Sequence, residues 1–137
     1  VNRVGKVIVE ADGGSRGNPG PAGYGALVMD EDGQELLDRR GFLGVATNNV
    51  AEYEGMIAGL TAAKELGATS VEVRMDSRLV VEQMSGNWKV RHPGLRPLAA
   101  RAADLVEQFE AVAFTWIPRA DNVRADALAN QAMNDGV

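Results

Sequence analysis

The sequence contains no cysteine, a single histidine, five prolines and only 5% aromatic residues. The lack of cysteine excludes a thiol nucleophile, Cys-ligated zinc, iron–sulfur chemistry and disulfides. One histidine, His92, excludes a multi-histidine metal site and leaves no other histidine on which a Ser-His-Asp triad could be built. No apolar run approaches the roughly 20 residues of a membrane-spanning helix, and no signal-peptide pattern opens the chain. A basic excess is missing too: 14 Lys and Arg stand against 19 Asp and Glu, a net charge of −5. Spread evenly, that balance weighs against a nucleic-acid partner. The expectation is a soluble, cytoplasmic, monomeric domain without an organic cofactor or a membrane partner.

What is present suits one domain. The chain has 137 residues, 45% of them apolar, and a chain of this size buries roughly two-thirds of its unfolded surface. It opens on Val1, so it reads as either a processed chain or a domain (1–137) excised from a longer one. Val7 to Asp12 alternates as a strand, with Val7, Val9 and Ala11 on one face. Gly13 to Gly25 is dense in glycine and predicts a loop. Tyr24–Met29 and Glu35–Leu43 read as two further strands joined by a turn at Asp32-Gly33, which gives an antiparallel meander. The period then changes. Asn48 or Asn49 is a candidate N-cap for a helix of about five turns ending at Gly67. Val71–Asp76 reads as a strand, Ser77–Met84 as a helix, Trp88–Pro97 as irregular, Leu98–Phe109 as a helix, Val112–Ile117 as a strand and Asn122–Met133 as a final helix. This order predicts an α/β fold in which a meander feeds a parallel section.

Four carboxylates stand out in this scheme. At about 100° per residue, Glu52 lies within roughly 40° of Met56, Gly59 and Ala63, whereas Glu54 points away from that stripe, toward solvent. A carboxylate on the buried face of a helix is costly without a cation to meet it, although an acid near a helix start also suits the dipole. Asp12 and Asp76 both end alternating strands. Each has an ordinary role open to it, Asp12 as a turn former and Asp76 as an N-cap. Asp126 sits beside the apolar stripe of the last helix, where a solvated residue is equally ordinary. In combination they say more, because sites in α/β sheets gather beyond strand ends. Four oxygen donors without nitrogen or sulfur suit Mg²⁺ or Mn²⁺, not zinc. Setting these four aside leaves 15 acids against 14 bases, so the acidity no longer speaks against a phosphate-bearing partner. Gly13-Gly14-Ser15-Arg16-Gly17 is not a P-loop, since it lacks the G-x-x-x-x-G-K-[ST] pattern and no helix follows it.

The stretches Glu10–Gly25, Thr47–Glu52, Met75–Ser77 and Asn122–Ala129 resemble type-one ribonuclease H, in that family's order, and the likeness runs from about Lys6 to Met133. The wording around Val80–Gly86 and Trp116–Arg119 is similar to actinobacterial ribonuclease H domains, some of which are fused to a C-terminal acid-phosphatase-like domain. The resemblance implies a five-stranded mixed sheet with helices on both faces. It implies hydrolysis of the RNA strand of an RNA–DNA hybrid, giving 5′-phosphate and 3′-hydroxyl ends. Asp12, Glu52, Asp76 and Asp126 would be the metal-binding catalytic set for two Mg²⁺ ions, with Mn²⁺ as substitute. Asp12 would bridge the ions and Asp126 would hold the hydrolytic one. Asn18, Asn48 and Asn49 match positions that read 2′-hydroxyls across the minor groove, helped by the turn at Gly13, Gly14 and Ser15. Asn18 and one of the other two asparagines would serve equally as a turn former and a helix cap. Thr47 matches a contact to a DNA-strand phosphate. Trp88 and Lys89 offer an aromatic beside a cation for the DNA backbone, although Trp88 suits a core position as well.

The pattern is broken in two places. Many members carry a histidine in the loop after the last strand, and here Pro118–Asn122 holds Arg119 instead. Arginine stays protonated and cannot act as a base. Residues 87–97 are too few for the basic helix that many bacterial members insert there. His92 reads as surface structure. Two other functions remain open at this point, a hybrid-binding module without activity and a nuclease of the same superfamily acting on duplex DNA. Fold alone does not confer activity.

Overall fold

The computed structural model describes residues 5–136; the outermost residues of the expected 1–137 domain lie outside the described residues. β1 (Lys6–Ser15), β2 (Gly20–Met29) and β3 (Glu35–Ala46) form the meander. α1 (Asn48–Glu65) leads to β4 (Ser70–Met75), then α2 (Arg78–Met84) and α3 (Arg96–Val106) lead to β5 (Ala111–Trp116). One turn of 3-10 helix, Arg119–Asp121, precedes α4 (Val123–Asp135). The strands form one mixed sheet in the order β3-β2-β1-β4-β5, with β1 antiparallel to β2 and parallel to β4.

The alternation in β1 and β4 sets the two layers. Val7, Val9 and Ala11 join Val71, Val73 and Met75 against Tyr53, Met56 and Leu60 of α1, with Val80 and Leu98 closing the layer. The other face carries Ile8, Leu27 and Met29 under Ala125 and Leu128 of α4. Each Val, Leu, Ile or Met among them contributes roughly 1.5–3 kcal/mol on burial. No helix among the described residues is long and apolar enough to cross a membrane.

The stretch expected to be a loop is mostly strand. Only residues 16–19 turn, and Gly13, Gly14, Gly20, Gly23 and Gly25 lie in β1 and β2. At Gly13, Gly23 and Gly25 the absent side chain lets a helix approach the strand closely, whereas Gly20 sits against the Arg16 backbone of the turn. A Cβ on Gly25 would lie 2.4 Å from Leu128 Cβ, and one on Gly13 would lie 2.2 Å from the Ala51 carbonyl carbon. Strand glycine of this kind marks a place where another backbone comes close.

Helix boundaries also differ from the expectation. Thr47 caps α1, its Oγ1 accepting the Val50 N–H at 3.3 Å, so neither Asn48 nor Asn49 is the cap. Gly67, at φ +76°, follows the end of α1 as expected. α3 begins at Arg96, with Pro97 in its first turn where the missing N–H does no harm, and it ends at Val106, short of Phe109. Glu54 does not simply face solvent. It is half-buried and pairs with Arg101 of α3 at 3.5 Å.

Candidate active site

Asp12 and Asp76 meet because of strand register. β1 and β4 pair in parallel up to Glu10 opposite Arg74, and continuing two residues sets Asp12 beside Asp76. Both project from the face opposite Val9 and Val73, the side on which α4 packs. Glu52 comes from α1 and reaches them past Gly13, which has no side chain to block the way. The Gly13 N–H donates to Asp12 Oδ1 at 2.9 Å and to Glu52 Oε1 at 2.6 Å. Ligand-capable oxygens of Asp12, Glu52 and Asp76 all lie within 4.8 Å of one another. Asp126 stands outside that trio but lines the same cavity of about 420 Å³, together with Asn48 and Arg119.

The ordinary roles open to these acids are not the ones they occupy. Asp12 is in a strand rather than a turn. Ser77, not Asp76, caps α2 by accepting the Val80 N–H at 3.3 Å. Asp126 is half-buried on the cavity wall, where Asn130 Nδ2 donates to it at 3.2 Å.

Burial and the closeness of like charges disfavour ionisation of the cluster. Burial, above all, pushes the Asp12 carboxyl up from 3.8 to about 7. The charge of Asp76 and a side-chain hydrogen bond with Asp126 act in the same direction, against the hydrogen bonds from Glu52 and Gly13. Glu52 is also raised, by burial first and then by the charge of Asp12. Among the described residues, none of the four carboxylates takes part in an ion pair. Hard oxygen donors, close together and short of positive charge, fit a divalent cation of the Mg²⁺ or Mn²⁺ kind.

This arrangement has a pH signature. A carboxyl raised in the folded state stabilises it below the unfolded value, and that stability is lost as pH climbs through the folded value. For Glu52 the window opens near pH 4.5 and extends toward about pH 10. In EDTA, the melting temperature of the wild type relative to Glu52→Gln should therefore fall steadily from pH 5 to pH 8. At pH 8 the variant should melt roughly 5 °C higher, the order expected for ~1–2 kcal/mol. Melting curves that stay a constant distance apart across that range would show that the Glu52 carboxyl is not raised.

Asn122 is a site residue that sequence reasoning did not single out. It is fully buried, and its Nδ2 donates to the Ala11 carbonyl and to Asp76 Oδ1, both at 2.9 Å. One amide thus ties the backbone next to Asp12 to the carboxylate of Asp76. Its own Oδ1 is buried without a partner among the described residues, a cost of holding the amide there. The signal was its place four residues before Asp126, at the turn that leads into α4.

The remaining expected contacts divide. Asn18, at φ +32°, sits in the β1–β2 turn, and its Oδ1 accepts the Asn48 N–H at 2.9 Å. Asn48 Oδ1 accepts the Ser15 N–H at 2.6 Å, and Ser15 Oγ donates to the Ala46 carbonyl at 2.6 Å. These bonds tie the turn to the start of α1 beside Gly13 and Gly14, and Asn49 is exposed next to them. Trp88 is 46% exposed, which excludes the core position. Trp88 and Lys89 follow α2 and do not line the carboxylate cavity. His92 is exposed and away from the cavity, its Nδ1 accepting the Gly94 N–H at 3.0 Å.

Comparison with known proteins agrees with this geometry. A family model described as reverse transcriptase-like matches residues 10–132. Ribonuclease HI of Halobacterium salinarum is 45% identical over 134 residues, covering 98% of this chain and 67% of that protein. The chain belongs to the ribonuclease H family. A ribonuclease H domain also forms the N-terminus of the bifunctional protein Rv2228c of Mycobacterium tuberculosis, to which this chain is 58% identical over 130 residues. That match covers 94% of this chain and 36% of the mycobacterial protein. The solved structure of that domain superposes with a TM-score of 0.93, covering 95% of this chain and 94% of that one. LC11-RNase H1, solved in complex with an RNA/DNA hybrid, superposes with a TM-score of 0.91 at 43% identity, covering 95% and 98% of the two chains. The five-stranded mixed sheet with helices on both faces is therefore the ribonuclease H fold.

Proposed function

We propose that this ribonuclease H chain is an endonuclease that hydrolyses the RNA strand of RNA–DNA hybrids, leaving 5′-phosphate and 3′-hydroxyl ends. The observation that carries this reading is the carboxylate trio within 4.8 Å at the ends of two parallel strands, unpaired with any cation among the described residues. Asp12, in contact with Glu52 and influenced by Asp76 and Asp126, would hold divalent cations together with those three carboxylates, Asp126 serving the water-activating side. Bound there, two Mg²⁺ ions, or Mn²⁺ as substitutes, would supply activation of the attacking water and charge stabilisation at the leaving 3′-oxygen.

The chain's own residues do the positioning. Asn122 fixes the Asp76 carboxylate, and the Gly13 N–H holds Asp12 and Glu52 together. Asn18 and Asn48 use their Oδ1 atoms within the protein, which leaves their amide N–H₂ donors for substrate, and a 2′-hydroxyl is an acceptor of the right kind. Asn49, Gly14 and Ser15 extend that surface. Thr47, Trp88 and Lys89 are assigned to the DNA strand. The expectation of a cytoplasmic monomer is retained.

Arg119 borders the cavity on the turn before α4 and is assigned to the charge that builds on the phosphate. Arg119→Ala should lower kcat by roughly 10-fold or more, as loss of a transition-state donor does, without changing the melting temperature. Equal kcat would remove it from the site.

The deciding experiment is cleavage of an end-labelled RNA–DNA hybrid with Mg²⁺, Mn²⁺ or EDTA, with single-stranded RNA and duplex DNA as controls. Metal-dependent cutting of only the hybrid's RNA strand is the expected result. Binding of hybrid without cutting would reduce the protein to a binding module, and cutting of duplex DNA would move it to another branch of the superfamily.

A further inference from the structure

One cation on the β1–β2 turn is required neither by the fold nor by the carboxylate cluster. Arg16 follows Ser15 directly, is exposed, and forms part of the wall of the carboxylate cavity. Its Nη2 donates to Asn134 Oδ1 at 2.7 Å, so the last turn of α4 holds the guanidinium in place. Fixing a long side chain costs rotamer entropy, yet the partner is a neutral amide and leaves the charge whole. Among the described residues Arg16 takes part in no ion pair. Arg119 borders the same cavity just before the start of α4. At 1.5 Å per residue the 13 residues of α4 span roughly 20 Å, so the two arginines bracket the helix that carries Asp126. A chain of net charge −5 draws a polyanion by local placement of cations, not by overall attraction.

We infer that Arg16 is a phosphate contact for the strand being cut, engaging a backbone phosphate a few nucleotides away from the scissile one. This inference rests on the proposed hybrid substrate. The guanidinium presents five N–H donors in a planar fork suited to phosphate oxygens. The Asn134 bond occupies one hydrogen and orients the others. Arg16 thus sets the register of the strand, while Arg119 serves the phosphate that reacts.

The test uses Arg16→Ala, Arg16→Lys and Asn134→Ala, each read by kcat, KM, the salt dependence of KM and equilibrium binding of hybrid by fluorescence anisotropy. Arg16→Ala should raise KM about 10-fold, leave kcat within about twofold, and lower the slope of log KM against log salt by about one. Arg16→Lys should fall between, keeping the charge but not the fork, and Asn134→Ala should give a smaller rise in KM. A second set of hybrids carries a single 2′-O-methyl methylphosphonate linkage, moved along the RNA strand, with the 2′-O-methyl phosphodiester as control. One neutralised position a few nucleotides from the cut should weaken the wild type but not Arg16→Ala. Unchanged KM and salt slope in Arg16→Ala, with the wild type cleaving normally, would overturn the inference and leave the hybrid-nuclease function standing. Wild type that binds hybrid without cutting it would end the nuclease reading, and the anisotropy data would still decide Arg16. Wild type that neither binds nor cuts hybrid would end both.

Discussion

Asp76→Asn should abolish turnover while leaving hybrid binding nearly intact. The substitution is isosteric, so Asn122 Nδ2 can still donate to the retained Oδ1 at about the 2.9 Å seen here. What is lost is one of three carboxyl groups whose oxygens lie within 4.8 Å, and with it the hold on a divalent cation. Metal stabilisation of the transition state amounts to several kcal/mol, so kcat should fall by roughly 10³-fold. Hybrid affinity, carried by groups outside the trio, should change by no more than about threefold. In EDTA the variant should be at least as stable as the wild type, because a repulsive charge beside Asp12 is gone. Single-turnover cleavage, anisotropy binding and thermal melting read these three quantities separately. Near-normal cleavage would remove Asp76 from the catalytic set, and a collapse in melting temperature would make its role structural.

Gly13→Ala should disrupt the site from the backbone, and Gly14→Ala should not. A Cβ on Gly13 would lie 2.2 Å from the carbonyl carbon of Ala51 and 2.5 Å from the Glu52 nitrogen, all of it helix backbone with no side chain to swing away. A Cβ on Gly14 would meet only Met133 Cε, at an ordinary 3.4 Å. The first variant must lift the start of α1 from β1, which breaks the Gly13 hydrogen bond to Glu52 and separates Glu52 from Asp12. A loss of about 3 kcal/mol or more follows from overpacking of this severity, a drop of roughly 10 °C or more in melting temperature. Gly14→Ala should stay within about 1 kcal/mol of the wild type. Two adjacent glycines in one strand thus carry opposite expectations, and equal melting temperatures would refute the close-approach account.

The sites where reading the sequence failed share one cause. Glycine density over Gly13–Gly25 signals a loop when only local propensity is weighed, but Gly13, Gly23 and Gly25 respond to helices that arrive from residues 48–65 and 123–135. Asn122 stands at the start of α4, but its side chain makes no cap bond there. Its amide instead serves β1 and β4, more than 40 residues away in either case. Glu54 looked solvent-facing because helical angle alone does not show α3 and Arg101 packing beside it. Arg16 and Asn134 meet across 118 residues of chain, a pairing that no local pattern encodes.

By itself the sequence determined the order and type of the elements, the alternation of β1 and β4, the exclusion of thiol and multi-histidine chemistry, and four carboxylates in motifs of one family. Those features are written in residue type and short-range periodicity, and both survive in a linear string. Only the tertiary structure decided that Asp12 and Asp76 stand in register across a parallel pair and that Glu52 reaches them past a glycine. It also decided that Asp126 stands apart from the trio on the wall of the same cavity. These are distances between segments far apart in the chain, set by how closely helix and sheet backbones pack, and packing distance has no signature in any single stretch of sequence.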